Sequence, residues 1–252
     1  MTFSSILIMV VAGFFGGLAN SIAGGASLVT FPALLSIGLP PIIANASNTV
    51  ALLPGNLLGA FGDRHKLPAR DAAFFTGLAI ALVGGTLGAL LLLISSDQFF
   101  SNIVPLLIGV ATLIFAFGKD IQRGLATLIG GADNPILRNV LLFPTSVYGG
   151  YFGAGVGVMF MALFGATSSL DVRAANANKN VLGFLTNVSA AVIFAWQAVV
   201  NWPVALTMLP ATAVGGFAGA KLIKVLPASW VRATIITIGT VMTVIYAYRT
   251  WA

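Results

Sequence analysis

Apolar stretches near or above the roughly 20 residues needed to cross a bilayer core follow one another along the whole chain, with only short polar loops between them. Such runs read as membrane-spanning helices. The composition leaves little else to build: 58% of the 252 residues are hydrophobic, 7% are charged and the mean hydropathy is +1.02, whereas soluble domains carry roughly a quarter charged residues. The expected fold class is therefore an all-α polytopic membrane protein, with residues 1–252 forming a single transmembrane domain and the lipid bilayer as its surroundings. The opening MTFSSILIMVVAGFFGGLAN has no basic n-region and no small-residue cleavage site, so it is expected to remain in the mature chain. The net charge of +6 is spread through loops, which fits the positive-inside rule better than a nucleic-acid partner.

Comparison of the chain with itself exposes a repeat. Ala44-Asn45-Ala46 with Val50 and Asn56 recurs as Ala175-Asn176-Ala177 with Val181 and Asn187, an offset of 176 − 45 = 131 residues. The same shift carries Val83-Gly84-Gly85 onto Val214-Gly215-Gly216, and Phe115-Ala116-Phe117 onto Tyr246-Ala247-Tyr248. Two tandem repeats are expected, at residues 1–118 and 138–252, joined by a loop at 119–137. Each opens with two short apolar arms around a Gly-rich break, IAGGAS at 22–27 and GGYFGAGVG at 149–157. Three longer spans follow, near 42–60, 72–94 and 100–117, then 174–196, 203–223 and 230–250. Counting each hairpin once gives about eight segments.

The second arm of the first break would reach only about 16 Å as a helix, about half of the bilayer core, so re-entry is expected. Broken backbone at membrane depth must be covered by protein or line a cavity. If each hairpin returns the chain to its starting side, the second copy is inverted. Arg64, Lys66, Arg70, Lys119, Arg123, Arg138, Arg173, Lys221, Lys224 and Arg232 then share one side, and Arg249 stands alone on the other. Parallel copies would split the same residues seven to four. Charge bias thus favours an inverted repeat with both termini outside. It does not separate two re-entrant arms from two full crossings. Trp196, Trp202, Trp230 and Trp251 fall near span ends, where interfacial anchors belong.

Inverted-repeat transporters commonly bind substrate where interrupted helices from the two copies meet near the midplane, with half-helix N-termini facing anionic groups. Here those starts lie near Gly25-Ala26-Ser27 and Gly155-Val156-Gly157, where free backbone N–H groups make a positive pocket without formal charge. The simpler reading of the same glycines is close helix packing. The next segments carry polar stripes, Asn45, Asn48, Thr49 and Asn56 in one copy and Asn176, Lys179, Asn180 and Asn187 in the other, at spacings that share a helical face. Interhelical hydrogen bonding is the competing role for each asparagine. Lys179 has three candidate roles: attracting a substrate anion, pairing with Asp171, or snorkelling to the nearby surface.

Chemistry is narrowed by what is missing. All six acidic residues, Asp63, Asp71, Asp97, Asp120, Asp133 and Asp171, lie in loops or at span edges, and there is no Glu. A cation pathway or a carboxylate proton relay normally needs a buried acid. Cys is absent, the lone His65 sits in a charged loop, and no Ser stands beside a recognisable base, so no enzyme activity and no metal or cofactor is expected.

The stretches NSIAGGASLVTFPALLSIGLPP and ANASNTV, with YFGAGVGVMFMALFG and ANANKNVLGFLTN in the second copy, resemble the sulfite exporter TauE/SafE family of permeases over nearly the whole chain. The resemblance implies a multi-pass inner-membrane carrier for sulfite, sulfonates or related anions. It implies substrate-binding roles for Asn20, Gly24, Gly25 and Ser27, for Asn45, Ser47 and Asn48, and for Gly153, Gly155, Gly157, Asn178, Lys179 and Asn180; Pro32 also matches. Relatives often carry an acid where Asn20 stands and a lysine near Thr49. Both charges are missing here, so substrate or coupling is expected to differ from the better-known members.

Overall fold

Two Gly-rich breaks divide the apolar sequence into helices of unequal length. The computed structural model describes residues 2–62, 64–67, 71–129, 134–222 and 228–251; Asp63, Arg70, Asp133 and Lys224 of the charge count lie outside these. Its helices are α1 Phe3–Ala23, α2 Ala26–Ser36, α3 Pro41–Gly62, α4 Ala72–Ile94, α5 Asp97–Ile129, α6 Pro135–Tyr151, α7 Val156–Thr167, α8 Val172–Trp196, α9 Trp202–Leu222 and α10 Ala228–Trp251. Adding 131 to the bounds of α1–α4 lands within three residues of α6–α9, and α5 and α10 start in register. Local chemistry sets several starts. Asp71, Asn134 and Asp171 are N-caps whose side chains accept the N–H groups of Phe74, Leu137 and Ala174, satisfying donors that the first turn leaves unpaired.

Among the described residues, five helical segments are long and apolar enough to cross a membrane: Phe3–Ser21, Ala72–Ile94, Asp97–Leu128, Val172–Trp196 and Ser229–Trp251. The protein is thus a multi-pass, all-helical membrane protein. Two sequence expectations need correction. The first arm is not short: α1 has 21 residues and α6 has 17, so each copy opens with a long helix followed by a short one, α2 or α7, of 11 or 12 residues. Residues 119–137 are not simply a loop. Helix α5 continues to Ile129, 33 residues in all, or about 50 Å. The apolar pattern ends near residue 117, but Lys119, Asp120, Gln122 and Arg123 carry the helix on in a polar setting, with Arg123 and Asp120 paired at 3.4 Å one turn apart.

Packing crosses between the copies. The long opening helix of each lies on the fourth helix of the other, α1 on α9 and α6 on α4, while α3 and α8 meet centrally and α5 packs on α10. Small residues let the backbones approach: a Cβ on Gly17, Gly215 or Gly88 would collide with the backbone of Thr212, Phe14 or Val147, and one on Gly84 with the Cβ of Ser146. Along α5 and α10 the contacts run in opposite directions, from Asn102 with Trp251, through Gly109 with Thr243 and Thr112 with Gly239, to Ala116 with Arg232. Side chains such as Phe15, Leu91, Leu113, Val214 and Phe217 stay exposed on outer faces, and all four tryptophans are exposed at or beside helix ends. Outer apolar faces and terminal tryptophans suit contact with lipid and its interface.

Gly215→Ala is expected to force α1 from α9 and cost about 1–3 kcal/mol, seen as a lower melting temperature in detergent. Gly124→Ala, where a Cβ meets open space, should hold or raise it, by about 0.5–1 kcal/mol at most.

Candidate substrate-binding site

Helix α1 ends at Gly24, whose φ of +79° places it in the left-handed region, and its counterpart Gly155 has φ +77°. Only glycine enters that region without steric cost, and the turn it makes redirects the chain into α2 or α7. The two breaks touch. A Cβ on Gly24 would sit 3.9 Å from Gly157, and one on Gly157 would sit 3.5 Å from the Gly24 carbonyl and 3.7 Å from Cδ of Lys179. Residues from both copies enclose a small chamber here, with Asn20, Gly24, Ser27 and Asn56 from the first and Gly153, Gly155, Gly157, Lys179 and Asn187 from the second among its lining. It holds about 30 Å³, room for about two waters.

The donors that face such a space come from backbone and side chains together. The amides of Ala26 and Ser27 at the start of α2 and of Gly157 at the start of α7 lack helical carbonyls to donate to, whereas the Val156 N–H donates to the Gly153 carbonyl at 3.3 Å. The helix dipoles add partial positive charge at both starts. Lys179 is 9% exposed and contributes a formal charge. Asn20 Nδ2 donates to Asn56 Oδ1 over a long 3.4 Å, and Asn48 Nδ2 donates to Ser27 Oγ at 3.2 Å.

A wider cleft of about 640 Å³ shares Gly157 and Lys179 with the chamber and is lined also by Lys119, Gln122, Arg173, Asn176 and Arg232. Its charges come from α5, α8 and α10, at the end of the molecule away from Trp251. Lys179 is thus shared between the chamber and a basic cleft. Asp171 lies outside on the N-terminus of α8. Its carboxylate is held below the usual range first by the Ala174 N–H, which outweighs an opposing desolvation, with lesser contributions from the Arg173 N–H and the charges of Lys66 and Arg173.

Not all of the residues singled out in the sequence gather here. Asn20, Gly24, Ser27, Gly153, Gly155, Gly157 and Lys179 line the chamber, and Gly25 lies beside it against Phe115. Asn45 instead donates to the Tyr151 carbonyl at 2.9 Å, and Ser47 accepts the Asn201 N–H at 2.9 Å; these two side chains secure the ends of α6 and the α8–α9 turn. Asn48 reaches the chamber only through Ser27. Asn178 lines a separate cleft with Asp71, Arg138 and Asn139, and Asn180 is buried without lining either space. Asn56 and Asn187, equivalent by the 131-residue shift, do line the chamber. Their recurrence within the polar stripes was the signal for them.

Broken helices that meet around a shared polar chamber beside a basic cleft are an arrangement common among membrane transporters. Residues 9–246 match the sulfite exporter TauE/SafE family, and the chain belongs to it. It is 26% identical over 251 residues to a "Probable membrane transporter protein" of Haemophilus influenzae, covering 96% of this chain and 94% of that one. It is 30% identical over 230 residues to "Probable membrane transporter protein ORF9" of a Sinorhizobium species, covering 88% and 83%. With "Probable membrane transporter protein YfcA" of Escherichia coli K12 it shares 25% identity over 238 residues, covering 90% and 83%. No solved structure matches.

Because the folded Asp171 carboxylate titrates below its ordinary value of 3.8, its stabilising effect is full above that value and fades as pH falls through the lower, folded one. Asp171→Asn should therefore melt below the wild type at neutral pH, and the gap should close on acidification below about pH 4 in detergent melting scans.

Proposed function

We propose that the chain is a secondary carrier that moves a small anion, sulfite or an organosulfonate, by alternating access around the chamber between the two breaks. The observation that carries this reading is the meeting of Gly24 and Gly157, from opposite copies, beside the buried Lys179. The Ala26, Ser27 and Gly157 amides would donate to the anion's oxygens, the Asn20, Asn56 and Asn187 amides would orient it, and the Lys179 ammonium would neutralise it. No carboxylate lines the chamber, which favours an anion over a cation. At about 30 Å³ the space has room for about two waters, which favours a carrier that must widen around its substrate over a standing pore.

An inverted repeat completes the proposal. It is supported by the opposed directions of α5 and α10, and by those of α3 and α8: Asn201 in the turn after α8 donates its N–H to Ser47 near the start of α3, while Lys66 beyond α3 acts on Asp171 before α8. In that arrangement the basic end faces the cytoplasm, both termini lie outside, and the protein resides in the cell inner membrane.

Charge at about 4 Å is worth roughly 4 kcal/mol at an effective dielectric near 20. Lys179→Gln is therefore expected to raise the KM for sulfite in proteoliposomes at least about tenfold, with Lys179→Arg recovering part of it. Flux of cations alone, or full anion transport by Lys179→Gln, would sink the proposal. Gly157→Ala meets only ordinary contacts, so it should fold normally yet fill the chamber and slow transport.

A further inference from the structure

The chamber explains Lys179 but leaves three other cations at its entrance without a role. Lys119 on α5, Arg173 on α8 and Arg232 on α10 line the same cleft, and none of its lining residues is acidic. Lys119 and Arg173 are exposed, while Arg232 is half-buried and donates to the Ala116 carbonyl, one turn before Lys119. That bond fixes the guanidinium at the rim. Asp120, the carboxylate next to Lys119 in sequence, is exposed and paired with Arg123. A concave wall with one sign of charge focuses potential and concentrates counter-ions.

The two ends of the molecule differ at the level of sequence. At the positions 131 residues away, Lys119, Arg173, Arg232 and Lys179 are replaced by Thr250, Ile42, Ser101 and Asn48. Where the cleft is walled by the small Ala162 and Gly165, the other copy has Phe31 and Leu34, both essentially fully buried. Phe31 packs edge-on against Phe152 at 5.2 Å, and Phe100 stands beside Phe152 and Tyr151. One mouth is wide and cationic. The equivalent positions of the other copy hold buried apolar side chains and none of those four charges.

We propose that Lys119, Arg173 and Arg232 form an outer anion-capture station, present at one mouth only, that holds the substrate before it reaches Lys179 and makes its apparent affinity depend on the side of approach. This rests on the carrier reading and adds to it. Anions arriving at the basic mouth meet a concentrated, salt-sensitive field. Anions arriving from the opposite side meet only the chamber. A carrier built this way binds dilute anion best from the basic side, whatever the direction of net flux.

The test uses the full chain in everted and right-side-out membrane vesicles with radiolabelled sulfite as the probe. Raising ionic strength from about 0.01 to about 0.15 M shortens the screening length from about 30 to about 8 Å, so KM from the basic side should rise several-fold while KM from the other side holds. Lys119→Glu with Arg173→Glu should raise KM from the basic side at least about tenfold and leave the opposite KM nearly unchanged. Lys119→Arg with Arg173→Lys should behave as wild type. Equal effects from both sides, or none, would overturn the station while leaving the carrier intact. If the wild type moves neither sulfite nor a small sulfonate, the carrier reading fails, and the station is judged by sulfite-induced thermal stabilisation in detergent. Its loss in the double Glu variant supports the station, and its persistence overturns it.

Discussion

A peptide backbone interrupted inside hydrocarbon must hand its unpaired amides and carbonyls to protein or to a shielded cavity. That requirement organises this molecule. The chain is broken at Gly24-Gly25 and again at 152–155, and each break is shielded chiefly by elements that sit across from it. Gly25 packs on Phe115 and Ile235, and Gly155 packs on Ala111. Polar atoms the breaks leave behind become the lining of a chamber, so the structural problem and the candidate binding site have one origin.

Much of this was legible because it is written in period and repetition. The span at 72–94 coincides with α4, and the breaks fall where glycines cluster. The offset of 131 foretold which helices correspond. Side-chain destinations were less legible. Asn45 and Asn56 occupy the same stripe at a spacing of eleven residues, yet one secures the Tyr151 carbonyl and the other lines the chamber, a distinction made by neighbours from the other copy. Ser47 and Asn178 are equivalent by the shift but serve different contacts, with the Asn201 backbone for one and the cleft near Arg138 for the other. The reach of α5 past residue 117 was hidden for another reason: hydropathy marks where the apolar environment ends, not where the helix does.

Duplication also made difference possible. Two equivalent positions, Asn48 and Lys179, carry an amide in one copy and a charge in the other. The amide bonds Ser27, tying α3 to α2, whereas the lysine lies against Gly157 at the start of α7. One copy thus spends the position on holding its hairpin together, and the other places a cation at the shared space. A pair of units with the same helices can in this way present a near-symmetric frame and an asymmetric interior.

The crossed packing of α1 on α9 and α6 on α4 has a consequence for how the protein is made. The glycine face of α1 cannot be covered until residues near 208–219 have been synthesised, almost two hundred residues later. Neither half is therefore a finished folding unit. During insertion α1 must wait beside the translocation machinery or in lipid with Gly13 and Gly17 uncovered, and assembly becomes a late, concerted closing of the two halves rather than the stacking of one completed half on another.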